Sequence, residues 1–314
     1  MKGLRLAYAG TPDFAVPALL ALITSHHHLE LVITQPDRRA GRGQKLTASP
    51  VKRAAENATI PVLQPDNINA AAVLREFQPL ELDLLVVAAF GQLFGSDLLA
   101  LPRLGCINIH ASLLPQWRGA SPIQHAILAG DKHSGVTIMQ MAERMDAGDI
   151  WLQKTCEISQ QDTAQSLHDK LATLSGDALL SALDLVCAGK ISAKPQDEAL
   201  ASYCTKLQKQ DGLINWQENS AIILRKIRAF YPWPGAYTLF NGRRLAITRA
   251  DSELPTDSAT VEPGTVLRSD KFGLVVATGD GTIRVQELKP AGGTLMDAAS
   301  FANSNRIVQT VLGA

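Results

Sequence analysis

The chain has 314 residues, 46% of them hydrophobic and 19% charged, with 30 Lys and Arg balanced by 30 Asp and Glu. That length exceeds what one core usually fills, so two domains are expected, and the apolar content excludes a natively unfolded chain. A net charge of zero excludes a globally basic polyanion binder, so any basic surface has to be local. In chain order, Leu4–Ala9 is an apolar run closed by Gly10, and Thr11-Pro12-Asp13 looks like a helix start with Thr11 as cap and Pro12 in the first turn. Leu29–Thr34, Leu82–Ala88 and Gly105–His110 read as buried strands, with a helix at Ala70–Phe77 between the first two. Near-continuous apolar strands alternating with helices predict an α/β domain, a Rossmann-like parallel sheet covered on both faces. Gly135–Met139 and Ile150–Lys154 are further strand-like runs, and Thr163–Val186 has the pattern of one long helix or a kinked pair.

The periodicity fades from Gly189 to about Gln208, which divides the chain into 1–188, a linker at 189–207, and 208–314. Beyond it, short runs at Tyr237–Phe240, Leu245–Thr248, Thr265–Arg268, Leu274–Thr278 and Thr282–Leu288 are punctuated by Asn241-Gly242 and Asp280-Gly281. Those dipeptides are hairpin signals, and the segment is expected to form a smaller β-barrel, OB-like in the sense of the oligonucleotide-binding barrels. Trp233, between two prolines, is expected in domain packing, and Trp151 and Trp216 in a core or interface.

Cys106, Cys156, Cys187 and Cys204 contain no C-x-x-C pair and no His at metal-ligand spacing, so reduced thiols and no metal are expected. His26-His27-His28 is expected to end a surface helix. The opening MKGLRLAYAG is too short in its apolar run for a signal peptide, and no stretch reaches the roughly 18 apolar residues of a membrane span, which points to the cytoplasm.

Four elements carry candidate chemistry. Asn108 and His110 lie two apart at the carboxyl end of a predicted strand, so they share one face at the end where open α/β sheets bind ligands. Asn donates to a carbonyl oxygen that is gaining charge, and His exchanges a proton with an attacking amine. Spacing alone fits better a strand end whose polar side chains bond the next loop. The loop Ser112-Leu113-Leu114-Pro115-Gln116-Trp117-Arg118-Gly119 could cover a flat ligand or be ordinary packing. Asp146 precedes an Ala-Gly turn; beside an imidazole it would orient the ring, and by itself it fits a turn residue bonding its own backbone. Arg38, Arg39, Arg42, Lys45, Lys52 and Arg53 fall in one acid-free stretch that contains Gly41 and Gly43, suited to a phosphate-rich partner or to a solvated loop.

Together these elements resemble the methionyl-tRNA branch of the 10-formyltetrahydrofolate-dependent formyltransferase family. The resemblance is carried by GTPDFAVPAL at 10–19, QPDRRAGRGQKLTASPVK at 35–52, GCINIHASLLPQWRGASPIQ at 105–124, GVTIMQMAERMDAGDI at 135–150 and KIRAFYPWPGAY at 226–237. It implies a catalytic trio of Asn108, His110 and Asp146. It implies a folate site at Ser112, Leu113, Leu114 and Pro115 with Phe90 and Gly91, and a tRNA-contacting loop at Arg38, Arg39, Arg42 and Lys45. It also implies 10-formyltetrahydrofolate as co-substrate, initiator methionyl-tRNA as acceptor, a barrel that follows the tRNA backbone, and a monomer. The chain departs from the family's usual residues at Arg39, Gln116, Ser121 and Ala142, none of them in the trio. Two other enzyme readings are formylation of a small sugar or nucleotide amine, which would not need the barrel, and a dinucleotide dehydrogenase. The first turn, Gly10-Thr11-Pro12-Asp13, lacks the G-x-G-x-x-G the latter requires. A non-catalytic RNA binder would leave Asn108, His110 and Asp146 unexplained.

Overall fold

A computed structural model describes residues 3–40, 43, 45–253 and 261–313. The chain divides into two units. The first takes the chain up to Pro122, then His133–Glu157 and His168–Cys204; the second takes Ile123–Lys132, Ile158–Leu167 and the chain from Thr205 onward.

The first unit is built on strands β1 (Arg5–Gly10), β2 (His28–Ile33), β5 (Val62–Leu63), β6 (Leu84–Ala88), β7 (Cys106–His110), β9 (His133–Gln140) and β10 (Ile150–Glu157). Between β2 and β5 lie β3 (Arg38–Ala40) and β4 (Lys45–Thr47), and between β7 and β9 the short β8 (Arg118–Gly119). The sheet order is β10-β9-β7-β6-β1-β2-β5. Pairing is parallel from β7 through β5, while β9 and β10 run antiparallel at one edge. All five residues of β6 are buried, as a strand covered on both faces requires. Ala7, Ala9, Ile33, Phe77, Leu85 and Val87 form part of the core on the sheet.

Helices α1 (Val16–Ile23), α2 (Pro50–Asn57), α3 (Ala71–Phe77) and α4 (Ser96–Ala100) fill the connections, followed by α5 (Pro122–Ala129) and the 24-residue α6 (Ala164–Cys187), which is one helix. α2 starts where Ser49 Oγ accepts from the Lys52 amide, with Pro50 in the first turn. Thr11 does not cap the first helix. Its hydroxyl donates instead to the Phe90 carbonyl at 3.1 Å, and the helix is entered through a short 3-10 turn at Asp13–Ala15. The basic stretch is not an open loop but a hairpin, β3 against β4. His26-His27-His28 does not end a helix: α1 stops at Ile23, His27 is buried and His28 opens β2.

Past α6 the chain stays with the first unit. Ile150 and Lys194 exchange main-chain hydrogen bonds of 2.8 and 2.9 Å, and β11 (Tyr203–Cys204) lies parallel to β8.

The second unit is an antiparallel sheet of β12 (Tyr237–Phe240), β13 (Arg243–Ser252), β14 (Val266–Asp270), β15 (Gly273–Ala277) and β16 (Thr282–Pro290), ordered β12-β13-β16-β15-β14, with β17 (Met296–Asp297) on β16. Asn241 and Gly242 both have positive φ, 51° and 69°, as a tight two-residue hairpin turn demands. Helices α7 (Ser220–Ala229) and α8 (Ala298–Ser304), not foreseen from the sequence, add Ile223, Ile227 and Phe301 to a core with Leu245, Val276 and Leu288. Trp216 is buried in that core, whereas Trp233 is 49% exposed. Among the described residues, no helix is long and apolar enough to cross a membrane.

Candidate active site

β7 sets two polar side chains on one face near its carboxyl end. Asn108 is registered with Val87 on β6 and Met139 on β9, and His110 with Thr137 on β9. His110 is buried, and its Nε2 lies 3.0 Å from the Trp117 carbonyl oxygen. A carbonyl only accepts, so Nε2 carries the proton and a neutral ring keeps its lone pair on Nδ1. Nδ1 faces Oδ1 of Asp146 at 3.7 Å. The Asn108 carboxamide has no hydrogen-bond partner among the described residues and is partly exposed, which leaves its N–H groups for a ligand.

Asp146 sits in the connection from β9 to β10 with φ 51°, a left-handed conformation that is rare outside glycine. Its carboxylate is not spent on its own turn. Oδ2 accepts from the Gly119 amide at 2.9 Å, which reaches across 27 residues of chain. The side chain is only 12% exposed, so both oxygens act in a restricted space.

The loop after β7 is held closed by its own hydrogen bonds. Ser112 is buried and its Oγ donates to the Gln116 carbonyl at 2.6 Å, so its one O–H is committed within the loop. Thr137 Oγ1 donates to the Ser112 carbonyl at 2.6 Å and accepts from the Leu114 amide at 3.1 Å. Gln153 Nε2 donates to the Leu114 carbonyl at 2.8 Å. Leu114 is buried, Leu113 and Pro115 partly so. Phe90 is turned into the core, edge-to-face with Phe94, while its carbonyl accepts from Thr11 and Gln35. Gly91 follows with φ 93°, and a side chain there would meet little but Gln35.

Arg38, Arg39 and Lys45 are exposed on the β3–β4 hairpin. Among the described residues none of the three has a carboxylate partner; Arg38 donates to Gln35 Oε1 at 3.2 Å. Arg42 lies outside the described residues. Lys52 is not free, since its Nζ pairs with Asp37 at 2.8 Å and this bond holds the Asp37 carboxyl below the usual range.

Sequence reasoning missed the residues that fix the site from behind: the Trp117 carbonyl, Gly119, Arg118 and Gln196. The signal available was Gly119 itself, since a glycine following the bulky Trp117 and Arg118 suits a close backbone approach. Gly119 has φ 117°, and a Cβ there would stand 2.3 Å from the Cys204 carbonyl oxygen. His26, His27 and Cys187 also bring ligand atoms within 4.8 Å of one another, which the cysteine spacing did not reveal. The Leu4 amide donates to His27 Nδ1 at 3.2 Å, so the proton of a neutral ring sits on Nε2 and that ring offers a metal no lone pair as it stands.

An α/β unit with a mostly parallel sheet, an amide and an imidazole near the carboxyl end of β7 and a carboxylate brought to the imidazole from the β9–β10 connection, followed by an antiparallel second unit, is the frame shared by formyl transferases. The chain belongs to the formyl transferase family: the model of the formyl transferase domain matches residues 4–183, and that of the formyl transferase C-terminal domain matches residues 206–306. Among its relatives are methionyl-tRNA formyltransferases. That of Legionella pneumophila (strain Philadelphia 1) is 47% identical over 307 residues, 98% of this chain and 97% of the relative; that of Coxiella burnetii (strain CbuK_Q154) is 44% identical over 302 residues, 96% of each. In fold, the chain is similar to the N-formyltransferase from Helicobacter canadensis in complex with folinic acid and dTDP-3-aminofucose, at TM-score 0.67 and 21% identity, covering 90% of this chain and 99% of the other. It is also similar to HypX from Aquifex aeolicus in complex with tetrahydrofolic acid, at TM-score 0.62 and 17% identity, covering 96% of this chain and 47% of the other.

Proposed function

We propose that the chain transfers the formyl group of 10-formyltetrahydrofolate to the amino group of methionyl initiator tRNA, in the cytoplasm and as a monomer. The full-length likeness to methionyl-tRNA formyltransferases supports the reaction and its acceptor. The observation that carries the chemistry is the buried His110 ring, held between the Trp117 carbonyl and the Asp146 carboxylate on the same strand face as the unpartnered Asn108 amide.

Transfer forms a bond between the methionine nitrogen and the formyl carbon and breaks the bond from that carbon to N10 of the folate. The Asn108 N–H groups would donate to the formyl oxygen as it takes on negative charge, and one such donor is worth roughly 2.7–4 kcal/mol. His110 Nδ1 would accept the proton the amine loses and deliver it to the departing N10. While doubly protonated, the ring places its new N–H toward Asp146, whose carboxylate would stabilise it. Residues 112–115 would cover the pterin through backbone groups and the leucine side chains, because Ser112 Oγ is already engaged.

The reading assigns catalysis to residues 1–188 and tRNA contact to Arg38, Arg39, Arg42 and Lys45 and to residues 208–314. The exposed cations of the β3–β4 hairpin, Arg38, Arg39 and Lys45, have no carboxylate partner among the described residues and favour a polyanion. So does a cleft of about 450 Å³ in the second unit, lined by Arg244 and Lys289 with no carboxylate in its wall among the described residues. The deciding experiment offers 10-formyltetrahydrofolate with methionyl initiator tRNA, and in parallel with a nucleotide-linked amino sugar. Formyl incorporation into the tRNA is expected, and incorporation into the sugar alone would sink the reading.

A further inference from the structure

The stretch after α6 reaches back over the site at two places. Trp117 donates its amide to Ser202 Oγ at 2.9 Å, Arg118 donates its amide to the Ser202 carbonyl at 2.9 Å, and β11 then runs beside β8 through Gly119, the residue that holds Asp146 Oδ2. Upstream of β11, Gln196 grips the other side of the same carboxylate's turn. Its Nε2 donates to the carbonyls of Asp146 at 2.8 Å and Gly148 at 2.7 Å. Its Oε1 accepts from Arg118 Nε at 3.0 Å and Nη2 at 2.8 Å.

These four bonds fix which end of the carboxamide is which, because carbonyls only accept and a guanidinium only donates. They also fill both N–H groups and both acceptor sites of Gln196. Arg118 is itself 1% exposed, and its remaining N–H groups bond Glu198 and the Tyr203 hydroxyl. Gln196 is therefore held on a buried cation and in turn holds the two carbonyls that bracket Ala147. A non-glycine residue with φ 51° persists where its surroundings over-determine it, and the Gln196 bond to the Asp146 carbonyl is part of that restraint.

We propose that Gln196 is a positioning residue for formyl transfer, fixing the main chain of Asp146 so that its carboxylate keeps its bearing on His110. The proposal rests on the catalytic reading of Asp146 given above. The Gln196 side chain bonds neither His110 nor Asn108; it reaches the site through the Asp146 and Gly148 carbonyls and through Arg118, and the proposal assigns its effect to Asp146. A cross-link that merely stabilised the fold would act the same way whatever side chain stood at residue 146.

The test is a double-mutant cycle on the full chain. Gln196→Met keeps the length and removes the polar atoms. It is expected to lower kcat by about 30-fold with KM for both substrates changed less than about twofold, since small displacements of a reacting group cost up to about 10²-fold. In an Asp146→Asn background the same change is expected to cost less than about twofold. Equal kcat losses in the two backgrounds, or a loss confined to KM, would overturn the proposal. Should Gln196→Met fail to fold, Gln196→Glu carries the same test: it keeps an acceptor for Arg118 but replaces the donors to Asp146 and Gly148 with an anionic oxygen that repels both carbonyls, and its kcat loss is again expected to vanish in the Asp146→Asn background. If Asp146→Asn alone retains full kcat, the catalytic reading itself fails, and that result is visible before Gln196 is touched.

Discussion

The amide of Gly119 donates to Oδ2 of Asp146 at 2.9 Å, and this leaves Oδ1 as the oxygen 3.7 Å from Nδ1 of His110. One carboxylate is thereby divided between a hydrogen bond to the main chain and an oxygen turned to the imidazole. Residue 119 also tolerates no side chain, since a Cβ would fall 2.3 Å from the Cys204 carbonyl oxygen. Gly119→Ala is expected to part β8 from β11 and release Asp146. Thermal melting should show a loss of about 2–3 kcal/mol in stability, and kcat should fall even below the melting transition. An unchanged melting temperature with full activity would contradict the geometry.

Asn108 and His110 should separate from tRNA affinity. Asn108→Ala is expected to lower kcat by about 10²–10³-fold, and His110→Ala by about 10²–10⁴-fold, while the Kd for initiator tRNA stays within about twofold. Steady-state kinetics paired with filter binding reads both. Full kcat in either variant removes that residue from the chemistry.

The β3–β4 hairpin makes the opposite prediction. Arg38, Arg39 and Lys45 are exposed and free of carboxylates among the described residues, so their charge is available to phosphates. The triple alanine variant should raise KM for the tRNA and flatten the plot of log Kd against log salt by up to about 0.9 for each phosphate it no longer neutralises. KM for the folate should not move. Arg42→Ala is expected to act in the same direction.

Glu198 gives a pH signature. Hydrogen bonds from Arg118 and then Arg144 hold its carboxyl at about 2, below its ordinary value of 4.5. A depressed carboxyl contributes stability that is complete above the unfolded value and is lost as pH falls toward the folded one. The stability difference between the wild-type chain and Glu198→Gln should therefore be flat from neutral pH to about 4.5 and shrink between there and about 2. Urea melts at about pH 7, 4.5 and 3 measure it. A difference that grows on acidification would reverse the assigned sign. The side chain is half exposed, so the effect should be small.

The sheet was legible where a strand is buried on both faces: β6 reads as a continuous apolar run, and on β7 the two-residue spacing of Asn108 and His110 fixes their common face whatever the rest of the fold does. The Asn241-Gly242 turn was legible because its backbone requires positive φ at both residues. Helices α7 and α8 were not, since each buries only a few residues against a sheet formed by distant strands. Residues 189–207 read as a linker because their partners lie far away: Gln196 bonds Asp146 across 50 residues and Ser202 bonds Trp117 across 85. Polar residues fully engaged in such long-range bonds have no periodicity to betray them. Thr11 misled for the same reason, its hydroxyl being taken by Phe90 79 residues away.

That long reach bears on how the enzyme comes to life during synthesis. When the last residue of α6 has just been added, Asn108, His110 and Asp146 have all been made, yet Gln196, Ser202 and Cys204 have not. A nascent or prematurely released product of that length carries those three side chains and lacks the hydrogen bonds that Gln196, Ser202 and Cys204 make behind them. On the proposed reading, full competence therefore arrives late, once residues 196–204 have joined the first unit.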